Sequence, residues 1–222
     1  MPEFPKTLVR ALPGRFIVFD GPDGSGKTTQ IRRFAEAVRR AGLDPALVRD
    51  PGGTRVGEKI RELLLEHSDE DIGPRTEMLL YMASRAQLVA LRIAPALAAG
   101  RCVLADRFYS STLAYQGTAG GVPAREILQA ALIACGDHRP DLTVLFDVDE
   151  PTAASRLNPL LDRMESKGPA FHARVRQGYL DQARDDPDRV ALIDATRSED
   201  QVFDALVATL DRRLNLLPGA RP

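Results

Sequence analysis

Residues 16–29, Phe16-Ile17-Val18-Phe19-Asp20-Gly21-Pro22-Asp23-Gly24-Ser25-Gly26-Lys27-Thr28-Thr29, read as an apolar strand that turns through glycines and opens a helix. Gly21, four intervening residues and Gly26-Lys27-Thr28 match the phosphate-loop spacing G-x-x-x-x-G-K-[ST], and the flanking strand and amphipathic helix supply the context that pattern needs. Glycines let successive N–H groups turn inward, and with the helix N-terminus they make an anion cradle that runs from Gly21 and Pro22 to Thr29. Lys27 can reach β- and γ-phosphates as a point charge, and the Thr28 hydroxyl suits Mg2+.

The 222 residues carry 30 basic and 31 acidic side chains, a net charge of -1, so nothing global points to a nucleic-acid or membrane surface. A hydrophobic fraction of 44% is enough for a proper core. Cys102 and Cys135 lack metal-ligand spacing and read as small core residues. No apolar signal region follows Met1, and no stretch approaches the ~18 apolar residues of a membrane span, so a cytoplasmic enzyme is expected.

Short apolar strands alternate with longer helical patterns, which implies parallel βαβ units. Strands are expected at Phe16 to Asp20, Ala46 to Arg49, Cys102 to Asp106, Leu142 to Asp147 and Val190 to Asp194. Helices are expected at Lys27 to Ala41, Val56 to Glu66, Arg75 to Leu97, Ala124 to Cys135, Pro151 to Leu157, Ser166 to Arg184 and Ser198 to Leu214. The fold class is α/β, a doubly wound five-stranded parallel sheet flanked by helices, as in P-loop NTPases. A loose N-terminal arm (1–14) precedes a single domain (15–214), and a short tail (215–222) follows it. Residues 156–168 fit no strand or helix pattern and read as a short mobile lid.

In such sheets ligands lie outside the carboxyl ends of the strands. Arg49-Asp50-Pro51-Gly52-Gly53-Thr54 forms a tight turn at one such end, with Arg61 about a helical turn on among Glu58, Lys59 and Glu62. Tyr81 and Arg85, four apart, share a helix face suited to stacking on a base and bonding its edge. Asp106-Arg107 ends the third strand, where an acid can hold Mg2+ waters and an arginine can grip phosphate. Ser111, Thr112, Tyr115 and Gln116 follow as hydrogen-bonding equipment for a small polar ligand. The lid holds Arg156 and Arg163, the local sources of positive charge for phosphoryl transfer.

Together F-D-G-P-D-G-S-G-K-T-T, R-D-P-G-G-T, L-L-Y-M-A-S-R, D-R-F-Y-S-S-T-L-A-Y-Q-G, P-D-L-T-V-L-F-D-V and F-H-A-R-V-R-Q-G-Y-L resemble the thymidylate kinases of bacteria over roughly residues 15 to 210. That family transfers the γ-phosphate of ATP to dTMP, giving dTDP, with Mg2+ and as a homodimer. The resemblance implies Tyr81 on the thymine face, with Arg85, Ser111 and Thr112 on its edge. It implies Arg61 and Arg107 on the dTMP phosphate, Asp23 near the sugar 3'-hydroxyl, and Tyr115 beneath the deoxyribose with Gln116 beside it. Asp50, where glutamate is more usual, falls near the acceptor phosphate and metal, and Thr28 with Asp106 on the metal side. Gly24 replaces a phosphate-loop arginine, and Asn158-Pro159-Leu160-Leu161 stands where relatives have extra basic residues. Arg163, in its Asp-Arg-x-Glu setting, is therefore the expected catalytic arginine, ahead of Arg156, beside Lys27, Arg107 and Asp23.

Three alternatives share the loop. Another nucleotide kinase would lack this base-and-sugar constellation, and a GTPase switch would need an Asn-Lys-x-Asp guanine reader, which does not occur. A DNA-associated ATPase would call for a basic arm.

Overall fold

A computed structural model describes residues 4–67, 70–156 and 162–217. Five parallel strands, β1 (Phe16–Asp20), β2 (Ala46–Arg49), β3 (Val103–Asp106), β4 (Leu142–Asp147) and β5 (Val190–Asp194), lie in the order β2-β3-β1-β4-β5. The central strand β1 is buried along its whole length, which is why it carries no polar residue before Asp20. Its alternate side chains feed opposite cores. Ile17 and Phe19 join Phe34 and Leu206 on one face, whereas Phe16 and Val18 join Leu88, Val89 and Phe108 on the other.

On the first face α2 (Lys27–Arg40) packs with α10 (Glu199–Leu214), whose start is fixed by a capping box between Ser198 and Gln201. The other face holds α3 (Arg55–Leu65), α4 (Pro74–Leu88), α5 (Ala94–Ala98), α7 (Ala124–Cys135) and α9 (Pro169–Asp185). The short α8 (Glu150–Arg156) follows β4.

Three expectations change. The helix expected from Arg75 to Leu97 divides into α4, a π-helical turn at Val89–Ile93 and α5. Pro95 explains the break: it has no N–H to give, and a wider turn moves its ring off the preceding carbonyls. A second π-helical segment, Leu113–Ala119, follows the single turn α6 (Tyr109–Thr112), in a stretch where no helix is expected. The N-terminal arm is not loose. Residues Lys6–Ala11 form α1 against α10, Leu8 and Leu12 are fully buried in the first core, and Thr7 Oγ1 donates to Asp211 Oδ1 at 2.6 Å. The expected lid and tail fall partly on residues 157–161 and 218–222, which lie outside the described residues.

If α1 is part of the core, Leu12→Ala should cost about 2–4 kcal/mol of stability, as buried leucine truncations do. Urea unfolding checks this, and a change below about 0.5 kcal/mol, the size of a surface effect, would restore the loose arm.

Candidate active site

The loop after β1 is shaped by contacts that exclude side chains. Gly21 has φ 145°, and a Cβ there would stand 2.5 Å from Phe146 O. Gly24 has φ 75°, and its Cβ would lie 2.4 Å from Ala153 O, so α8 leaves no room for an arginine at this position. Lys27 is buried, with Nζ 3.4 Å from Pro22 O and 3.9 Å from Asp23 Oδ1. Burial and the charge of Arg107 lower its pKa, against the pull of Asp23 and Asp106. Ser25 Oγ is buried and has no hydrogen-bond partner among the described residues.

Asp20, at the carboxyl end of β1, is fully buried. It accepts from Gly21 N (2.8 Å), Ser110 Oγ (2.5 Å), Ser111 Oγ (2.7 Å) and Tyr179 Oη (2.7 Å), with Arg107 Nη1 at 3.3 Å. Arg107 sits at φ 69°, left-handed backbone for a side-chain-bearing residue. Its N–H donates to Phe19 O, and its guanidinium reaches Gly21 O, Tyr179 Oη and Asp23. Asp23 also accepts from Tyr115 Oη at 2.6 Å. Burial alone would raise the Asp23 pKa, but Arg107, Lys27 and the Tyr115 hydroxyl outweigh it and hold the carboxyl at about 2.

The sequence-selected residues converge. A cavity of about 310 Å3 is lined by Asp23, Lys27 and Thr28 from the loop, and by Asp50, Arg61, Tyr81 and Arg85 from β2's turn, α3 and α4. Asp106, Arg107, Ser111, Thr112, Tyr115 and Gln116 complete its wall, with Asp162, Met164 and Glu165 above. The volume falls at the lower end of the range usual for small-molecule sites, about 300–1,000 Å3.

Several placements differ from expectation. Ser111 and Thr112 do not act as a pair: Ser111 turns to Asp20 and Arg107, while Thr112 Oγ1 accepts from Arg85 Nη2 at 3.1 Å, because neighbours on a helix point about 100° apart. Asp50 is the fully buried partner of Arg85 (2.5 Å to Nε) rather than a free carboxylate facing a metal, and its Oδ1 has no partner among the described residues. Arg61 Nη1 donates to Pro51 O at 3.2 Å, which draws it over the turn.

The lid arginines differ most. Arg163 donates to Leu64 O at 2.9 Å and to Glu77 Oε1 at 2.8 Å, with Met164 Sδ on its remaining nitrogen, so it is an anchor and does not face the phosphate loop. Its Asp-Arg-x-Glu setting is a local turn: Asp162 Oδ1 accepts from Met164 N and Glu165 N, and Glu165 Oε2 accepts from Asp162 N. Arg156 Nη1 instead donates to Ala195 O at 2.9 Å, beyond β5.

Sequence reasoning missed Glu77, Asp20 and Tyr179. Glu77 is 1% exposed and accepts from Arg163, Lys167 and Gln116, each at 2.8 Å. Burial would raise its pKa, yet the bonds from Lys167, Gln116 and Arg163 hold it below the usual carboxylate range. The available signal was its spacing, since Glu77, Tyr81 and Arg85 fall at i, i+4 and i+8 on α4.

Thr28 Oγ1 donates to Asp106 Oδ2 at 2.9 Å beside the loop. Hard oxygen ligands of this kind fit Mg2+, which keeps its waters and takes most other ligands from phosphates. No cluster of three or more His, Cys, Asp or Glu suited to a metal occurs among the described residues.

A parallel sheet carrying a phosphate loop, joined through one cavity to Tyr81 and the buried Arg85, defines a P-loop nucleotide kinase. The thymidylate kinase family model matches residues 19–206. The chain is 41% identical over 203 residues to a thymidylate kinase of a Geobacillus species, covering 90% of this chain and 97% of that one. It is 45% identical over 210 residues to one from Pseudomonas putida, covering 94% and 97%. A crystal structure of thymidylate kinase from Ehrlichia chaffeensis superposes with a TM-score of 0.71 at 32% identity, over 88% of this chain and 98% of that one. The chain belongs to the thymidylate kinase family, and its reaction is the ATP-dependent phosphorylation of dTMP to dTDP.

The depressed Asp23 pKa has a signed consequence. A lowered folded-state pKa stabilises the protein above the unfolded value and loses that contribution as the pH falls through the folded one, here from about 4 down to about 2. Asp23→Asn should therefore cost about 2 kcal/mol at pH 6, with the gap to wild type closing towards pH 2 in urea titrations.

Proposed function

We propose that this cavity holds dTMP against the γ-phosphate of ATP, with Mg2+, in a cytoplasmic homodimer. The observation that carries the reading is that Lys27 and Thr28 of the phosphate loop border the same cavity as Tyr81 and Arg85. The loop from Gly21 to Thr29 cradles the ATP phosphates, and Lys27 meets the charge on the transferring group. Arg107 and Arg61 grip the acceptor phosphate, Tyr81 stacks on thymine, and Arg85, braced by Asp50 and Thr112, donates to its edge. Asp23 and Tyr115, already hydrogen-bonded, close on the deoxyribose, where a 2'-hydroxyl would meet the Tyr115 ring without a partner. Thr28 and Asp106 would hold Mg2+, which would neutralise charge on the transferring phosphate.

Arg163 seats the lid over the nucleoside. Arg156 is tied to the turn after β5. Exposed Leu63, Leu79, Leu128 and Ile133 on the successively packed α3, α4 and α7 support a dimer surface there. For localisation, no helix among the described residues is long and apolar enough to cross a membrane.

Coupled measurement of ADP formation with dTMP, dUMP, UMP, dCMP and AMP tests the assignment, and dTMP should lead. Lys27→Ala should keep its melting temperature but lose roughly 10²–10³-fold in kcat, the cost of removing one preorganised charge. Tyr81→Ala and Arg163→Ala should raise KM for dTMP while leaving ATP affinity unchanged. Equal losses for both nucleotides would remove Tyr81 from the acceptor pocket.

A further inference from the structure

Glu77 and Gln116 form a polar contact that the assignments above leave without a purpose. Gln116, in the π-helical segment, is 1% exposed and borders the cavity; Glu77 lies behind it and does not. A carboxylate is acceptor-only, so the Gln116 atom 2.8 Å from Glu77 Oε2 has to be the amide nitrogen. That turns Gln116 Oε1 to the opposite end of the amide. Arg163 and Lys167, each 2.8 Å from Glu77 Oε1, keep the carboxylate ionised and so keep the amide from rotating. Two turns along α4 from Glu77, Arg85 is a donor that cannot accept.

We infer that Glu77 is a specificity-determining positioning residue, which selects thymine over cytosine by locking the Gln116 amide with its oxygen towards the base. The inference rests on the proposed acceptor site. Thymine presents its C4 carbonyl, an acceptor, beside N3–H, a donor, and these match a fixed donor in Arg85 and a fixed acceptor in Gln116. Cytosine presents the reverse pair, an amino group beside an unprotonated N3. A free glutamine amide would serve either base by a half-turn; Glu77 forbids that turn, because it would set a carbonyl oxygen against a carboxylate. Seating of the lid and choice of base thus share one charged group.

The test is the ratio of kcat/KM for dTMP to that for dCMP, measured on the full chain with Mg·ATP. Glu77→Gln lets the two amides pair in either orientation and should lower the ratio at least about tenfold, the effect of one buried hydrogen bond, with KM for ATP unchanged. Gln116→Met keeps the side chain's length and Glu77's lid contacts, and it should lower the ratio by a similar factor even if Glu77→Gln folds poorly. Arg163→Gln and Lys167→Gln loosen the lid but leave Glu77 an acceptor, so they should weaken dTMP binding and keep the ratio. An unmoved ratio in Glu77→Gln or Gln116→Met overturns the inference, as does an equal fall in the two lid variants, which would make lid seating the selector. A wild-type enzyme that does not prefer dTMP to dCMP would instead overturn the acceptor-site assignment, before any variant is made.

Discussion

Asp20 is the constraint on which the site depends. A carboxylate with no solvent exposure is costly unless its lone pairs are filled, and here five donors from three segments fill them. One is the first N–H of the phosphate loop, two are the hydroxyls of Ser110 and Ser111, one is Tyr179 from α9, and one is Arg107. The requirement works in both directions. Satisfying Asp20 brings the start of the loop, the turn after β3 and α9 to one point, and it holds Arg107 in a backbone conformation that costs of order 1–3 kcal/mol.

The acceptor wall depends on a second device. Ser111, Thr112, Tyr115 and Gln116, at i, i+1, i+4 and i+5, fall on one side of the helical run, and in its π-helical part Tyr115 reaches Asp23 and Gln116 reaches Glu77. Opposite it, α4 presents Glu77, Tyr81 and Arg85 along one stripe. Burying Arg85 at 1% exposure is tolerable because Asp50, Thr112 and Met82 engage its nitrogens and its guanidinium lies 5.2 Å from the Phe108 ring. Arg163 and Lys167 then meet on Glu77, a charge already in place on that stripe.

Sequence alone determined the strands, the phosphate loop and the family, for a physical reason. A doubly covered strand must be a short apolar run, and a loop that wraps phosphate must spend glycines at fixed spacing before Lys27 and Thr28. It also selected Tyr81, Arg85, Asp106, Arg107 and Tyr115, because an acid at a strand end and an aromatic one turn from an arginine are local patterns. Which partner each charge takes was decided only by the tertiary structure. Arg163 carries the same motif whether it points at a phosphate or at Glu77, and Glu77 looks like any helical acid until Gln116, 39 residues away, and the lid cations close on it. Leu8 and Leu12 likewise read as part of a loose arm until α10 covers them. Burial and ion pairing are sums over neighbours distant in the chain, and no local spacing encodes them.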